Sequence, residues 1–163
     1  MKKPLIILVS VVLLAVAGVF LLQSPPESAD ASMTMVVYKS PTCGCCHNWV
    51  ELMEAAGYTI DVRDTNNMNT VKMQNGVARN LQSCHTALID GYLIEGHVPV
   101  EDIQRLLAER PAIKGLAVPG MPIGSPGMEQ GMPSDYQSFD VVAFDGAGNL
   151  SSFRHVEGGA NGR

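Results

Sequence analysis

Apolar positions recur along the chain in two rhythms. Short unbroken or alternating apolar runs read as strands, and runs that return every three to four residues read as helices. Met33 to Lys39 is a short apolar run rich in valine and reads as a buried strand. Ser40-Pro41 turns the chain, and a helix is expected to begin near Thr42 or Cys43 and to stop at Gly57. Trp49, Leu52, Met53 and Ala56 have the spacing of one apolar helix face. Tyr58 to Val62 reads as a second short strand, and Asn66-Asn67 can cap a helix from Met68 to Asn75 that ends at Gly76. Val77 to Ser83 shows neither rhythm. Thr86 to Asp90, a tight turn at Gly91, and Tyr92 to Gly96 form a β-hairpin pattern. Pro99 suits the first position of a helix that carries Val100, Ile103, Leu106 and Leu107 on one stripe, reaches Glu109 and is stopped by Pro111. Phe139 to Phe144 and Leu150 to Val156, joined by Asp145-Gly-Ala-Gly-Asn149, predict a second hairpin that extends the sheet.

The first seven elements follow the order βαβαββα. That is the thioredoxin-like α/β arrangement, here with an added C-terminal β-hairpin, and in it the start of the first helix carries a C-x-x-C pair. Thr42-Cys43-Gly44-Cys45-Cys46-His47 occupies that place and holds three of the four cysteines. Cys43 and Cys46 have the C-x-x-C spacing, and Cys45 adds a third sulfur within the same turn. The unpaired N–H groups and positive dipole end of a helix N-terminus favour thiolate, the form that attacks disulfides and binds soft metals. The fourth thiol lies in Cys84-His85-Thr86, just before the third strand. In a thioredoxin-like fold that point faces the C-x-x-C helix and normally holds a cis-proline. Cys84 is therefore expected beside the Cys43–Cys46 cluster.

Between the two hairpins lies Val118-Pro-Gly-Met-Pro-Ile-Gly-Ser-Pro-Gly-Met128, which contains no charge and whose glycines and prolines forbid a regular element. It reads as a packed surface loop in which methionine fills gaps, with a lid over the thiol site as the rival reading. In the lid reading Met121 or Met128 offers a soft thioether.

At the N-terminus, Lys2 and Lys3 precede an apolar run from Pro4 to Leu22, and Ala29-Asp30-Ala31 offers a cleavage site. Residues 1–31 are expected to be a secretory signal or an uncleaved membrane anchor, since the run is close to the ~20 residues that span a bilayer. A Pro/Ser/Ala/Glu linker, 23–32, leads into one domain, 32–157, and 158–163 are expected to fray. Either fate of the leader places the domain outside the cytoplasm, and membrane contact is expected only if the leader stays attached. The net charge of −5 comes with no basic stripe, which argues against a nucleic-acid partner.

Four cysteines in an exported chain ordinarily mean two structural disulfides. Three cysteines in four residues cannot staple three distant places, and a bridge between the adjacent Cys45 and Cys46 is strained. Four clustered thiols exceed what disulfide exchange requires and suit a soft ion such as Cu(I). Zinc sites usually pair two separate two-cysteine hooks, whereas this chain has one crowded hook and one lone cysteine. Closely packed thiolates bridge ions, so a small polynuclear cluster is the natural hypothesis. Without copper, Cys43–Cys46 is the favoured disulfide pair, with Cys84 as a competing partner. His47 and His85 adjoin cysteines and are auxiliary ligand candidates together with Met121. His97 and His155 sit at predicted strand ends and are expected at the surface.

Several of these segments together resemble the CopG-type copper-resistance proteins: Tyr38 to Cys46, Cys84-His85-Thr86, Tyr92 to Pro99 and Val118 to Glu129. The resemblance covers about residues 33–157 and rests on more than a lone C-x-x-C. It implies a thioredoxin-like fold, a periplasmic location and copper ligation at Cys43, Cys45, Cys46 and Cys84. Its partners would be copper ions and other copper-handling proteins of that compartment. It does not decide between a copper carrier and an enzyme, a thiol–disulfide or copper oxidoreductase in which Cys43 is nucleophile and Cys46 resolving thiol.

Overall fold

A computed structural model describes residues 33–159. The expected leader, its cleavage site and linker, and the last four residues of the tail lie outside the described residues. β1 (Thr34–Lys39) buries alternate side chains, with Met35 and Val37 fully enclosed. The chain then turns, with the Cys43 N–H donating to the Ser40 carbonyl at 3.1 Å, and α1 (Gly44–Ala55) begins with Cys43 as its extended N-cap. The buried face of α1 is Cys46, Trp49, Val50 and Met53. The face expected from the sequence is thus rotated: Leu52 is 39% exposed and Ala56 lies outside, while Cys46 takes an inward position. A cysteine behaves as a small hydrophobe there, which pattern reading had counted only as chemistry. Gly57, at φ +95°, ends the helix by donating to the Glu54 carbonyl while Tyr58 N–H reaches Met53, a Schellman closure.

β2 (Thr59–Asp64) pairs parallel with β1 and runs two residues past the expected Val62. α2 (Met68–Gln74) is capped as expected, the Asn67 side chain accepting from Thr70 N–H at 3.3 Å. The unassigned stretch 77–83 contains one 3₁₀ turn, Arg79–Leu81. β3 (Thr86–Ile89) and β4 (Tyr92–Glu95) form the expected hairpin around Asp90-Gly91, both residues at positive φ as a two-residue primed turn requires. α3 (Val100–Glu109) follows, capped by Pro99 and closed by Arg110 in the left-handed region.

β5 (Gly115–Ala117) was not expected. Three residues are too few to show a period, yet they join the sheet between β4 and β6 (Phe139–Phe144), and β7 (Leu150–Val156) completes it. The seven strands lie in the order β2-β1-β3-β4-β5-β6-β7, so the predicted C-terminal hairpin extends the sheet by way of β5.

Neighbouring residues on one strand face opposite sides of a sheet. Ala87, Ile94, Leu116 and Ala143 join the larger core with Trp49, Met53, Ile103 and Leu106 of α1 and α3. Leu93, Ala117 and Phe144 join a smaller core closed by Val77 and Leu81. Trp49 Nε1 donates to the Val98 carbonyl at 2.9 Å, and Arg154 of β7 grips the buried Asp102 carboxylate with Nε at 2.9 and 3.0 Å. These bonds fix α1 and α3 to one face. Among the described residues no helix is long and apolar enough to cross a membrane.

Candidate metal centre

The first turn of α1 and the segment entering β3 bring all four thiols together. Each can offer a sulfur that lies within 4.8 Å of the other three. Cys43 and Cys46 form a disulfide with Cα atoms 5.3 Å apart, the pair that the C-x-x-C spacing favours. Cys45 and Cys84 are free thiols. Cys84 Sγ lies 3.3 Å from Cys46 Sγ and 4.0 Å from Cys45 Sγ, and Cys45 Sγ lies 3.5 Å from Cys43 Sγ. Cys46 is fully buried, and the other three sulfurs belong to half-buried residues.

Cys84 has a second set of neighbours. His97 Nε2 lies 2.9 Å and His85 Nδ1 3.4 Å from its sulfur. His97 Nδ1 lies 2.7 Å from the Pro126 carbonyl, which can only accept, so Nδ1 carries the ring proton and Nε2 turns its lone pair to Cys84. His85 is fully enclosed between Trp49, at 4.4 Å between ring centroids, and His97, at 5.0 Å. Its Nε2 has no hydrogen-bond partner among the described residues. Cys84, His85 and His97 form a second potential metal-holding group that shares its cysteine with the first.

The electrostatics keep this group neutral in the metal-free protein. Burial, reinforced by the neighbouring Cys45, pushes the Cys84 thiol up to about 12. Burial drives His85 well below the ordinary histidine value, with the neighbouring His97 and the Lys72 ammonium adding to it. Burial also lowers His97, against the opposing pull of the Pro126 carbonyl. A soft cation arriving here meets neutral imidazole nitrogen and a thiol whose proton it displaces.

A buried ion pair holds the backbone beside Cys84. Lys72 Nζ lies 2.5 Å from Glu95 Oε1 and 3.1 Å from Thr86 Oγ1. Thr86 Oγ1 donates to Glu95 Oε2 at 2.7 Å, and Ser83 N–H donates to Glu95 Oε1 at 2.7 Å. Glu95 thus ties the residue before Cys84 to α2 and to the β3–β4 hairpin.

The uncharged loop 118–128 packs over the site from the other side. Gly120 N–H donates to the Gln82 carbonyl at 3.0 Å, and the Gly120 carbonyl accepts from the Ser83 hydroxyl. Gly127, at φ +82°, lies so close to α1 that a Cβ there would stand 2.8 Å from the Cys45 carbonyl oxygen and 2.8 Å from Trp49 N. Between these anchors Pro126 supplies the His97 contact. Met128 is buried, whereas Met121 is 53% exposed and no contact places it at the sulfurs.

Of the residues singled out in the sequence, the four cysteines and His85 come together. His47 points outward and pairs with Glu51 of the next turn at 3.3 Å, away from the cluster. His155 lies at the surface as expected, between Asp140 and Glu157. His97 reverses its expectation: it is fully buried and touches Cys84. A strand-end histidine ordinarily faces water, but here the loop 118–128 closes over it.

A family model described as a protein of unknown function, DUF411, matches residues 81–128, the span that holds Cys84, His85, His97 and the covering loop. No curated protein matches the chain. Among solved structures, Form 2 of copper resistance protein CopG is similar at 40% identity and TM-score 0.71, over 76% of this chain and 97% of that one. Form 1 is similar at 38% identity and TM-score 0.72, over 78% of this chain and 99% of that one.

Proposed function

The chain belongs to the family of copper resistance protein CopG, and on that premise we propose that it binds Cu(I) through Cys43, Cys45, Cys46 and Cys84 in the service of copper resistance. The observation that carries this reading is the meeting of four sulfurs within 4.8 Å. Thiolates select monovalent copper, and sulfurs this close share ions between them, so the bound form is a small polynuclear copper–thiolate cluster. His85 Nδ1 and His97 Nε2, both neutral and both against Cys84, add nitrogen donors at its edge. Reducing the Cys43–Cys46 disulfide by two electrons makes all four sulfurs available. The leader at 1–31, a cleaved signal or a retained anchor, would place the domain in the periplasm.

The experiment is metal analysis of the full chain, reduced and loaded anaerobically. Reduced protein should hold more than one copper per chain and prefer Cu(I) to zinc. One copper or fewer, with zinc filling the site tightly, contradicts the cluster.

A second reading is favoured by the disulfide itself. It sits at a helix N-terminus with Cys43 half-exposed and Cys46 enclosed, the asymmetry of a nucleophile and its resolving thiol. In this reading the protein is a thiol–disulfide or copper oxidoreductase. Cys45 offers an off-pathway bridge, so disulfide-reduction turnover should be weak and Cu(I) should suppress it. Fast turnover that persists with copper bound would make the oxidoreductase reading primary.

A further inference from the structure

The sulfur nearest to the Cys43–Cys46 disulfide from outside its own turn is Cys84, 3.3 Å from Cys46 Sγ. Cys46 is fully enclosed, so no external thiol reaches it, whereas Cys84 already touches it. Exchange needs an attacking sulfur in contact with one sulfur of the disulfide, and the 3.3 Å approach of Cys84 to Cys46 provides that contact.

We propose that Cys84 exchanges with the Cys43–Cys46 disulfide, moving the bond to Cys46–Cys84 and releasing Cys43 as a free thiol. Cys84 gives up its proton to solvent, and Cys84 Sγ forms a bond to Cys46 Sγ. The Cys43–Cys46 bond breaks, and its electron pair leaves on Cys43 Sγ, which takes up a proton from solvent. One disulfide is lost and one is gained, so no oxidant or reductant is needed. The exchange involves no copper and goes beyond the copper-binding reading.

The consequence is a change in which two thiols are free. With the bond at Cys43–Cys46 the free pair is Cys45 and Cys84, 4.0 Å apart, and Cys84 is in contact with His97. With the bond moved, the free pair is Cys43 and Cys45 at the first turn of α1, whose sulfurs lie 3.5 Å apart before the exchange. An exported protein that is still oxidised would thereby present a two-sulfur hook at its surface, fit for a first soft ion or an incoming thiol.

Cys45 could attack Cys43 and confuse the reading, so the test removes it. The full-length Cys45→Ser chain, metal-free and air-oxidised, carries one free thiol and is incubated with iodoacetamide at neutral pH, then peptide-mapped. The expected result is label accumulating on Cys43 together with a Cys46–Cys84 linked peptide. Label confined to Cys84, with Cys43–Cys46 retained throughout, overturns the proposal. Should Cys45→Ser fail to fold, the unsubstituted chain is trapped in acid and mapped, and absence of any Cys46–Cys84 peptide overturns the proposal directly. Because no step involves copper, failure here leaves the metal analysis untouched.

Discussion

Cys84 stands between two chemistries. Toward α1 it meets three sulfurs, and toward the hairpin it meets two imidazoles. Its position rests on a neighbour: Ser83 N–H binds Glu95, whose carboxylate is balanced by Lys72, and both charged side chains are almost wholly enclosed. Removing one partner of such a pair strands the other charge, whereas removing both charges is far milder. Lys72→Met should therefore cost ~3–5 kcal/mol in denaturant unfolding. Adding Glu95→Gln to it should recover much of that loss, since the amide oxygen still accepts from Ser83 N–H and its NH2 can donate to the Thr86 hydroxyl. A loss below ~1 kcal/mol in the single variant, the range of an exposed pair, would mean that water reaches the pair.

Elements bring the distant residues of the site into register. The β3–β4 hairpin pairs Thr86 with Glu95; one step further sets His85 opposite Gly96, and the next sets Cys84 opposite His97. The Gly96 N–H bond to the His85 carbonyl at 3.0 Å continues the ladder that far. His97 was thus legible in the sequence once the Asp90-Gly91 turn was accepted. What hid it was the covering loop, whose path depends on glycines meeting backbone and not on any periodic pattern. The four cysteines were legible because their spacing and the βαβαββα order fix where each thiol falls. β5 was not, because three residues carry no rhythm, and the α1 face was misread because Cys46 serves both the core and the site. The loop's role is open to a direct change. Gly127→Ala places a methyl group against Cys45 and Trp49 in a left-handed backbone, which should cost ~1–3 kcal/mol. It should also loosen the Pro126 hold on His97, so that a competing chelator strips copper faster from the variant. Unchanged stability and unchanged copper release would show that the loop is not seated on α1.

At the scale of the whole molecule, the seven-stranded sheet carries a core on each face, and the site occupies the junction of α1, the segment entering β3 and the loop 118–128. Oxidised, it stores one disulfide and two thiols; reduced, it offers four sulfurs and two neutral imidazoles to a soft ion. In the proposed copper-binding reading, copper and the disulfide would compete for Cys43 and Cys46, which would link metal loading to the reducing state of the compartment. The central claim is that several Cu(I) ions share these sulfurs. X-ray absorption at the copper edge of the reduced, copper-loaded chain tests it most directly. The account predicts a Cu(I) edge, a first shell dominated by sulfur and a copper–copper scattering contribution. A first shell of nitrogen and oxygen with no copper–copper contribution would contradict it.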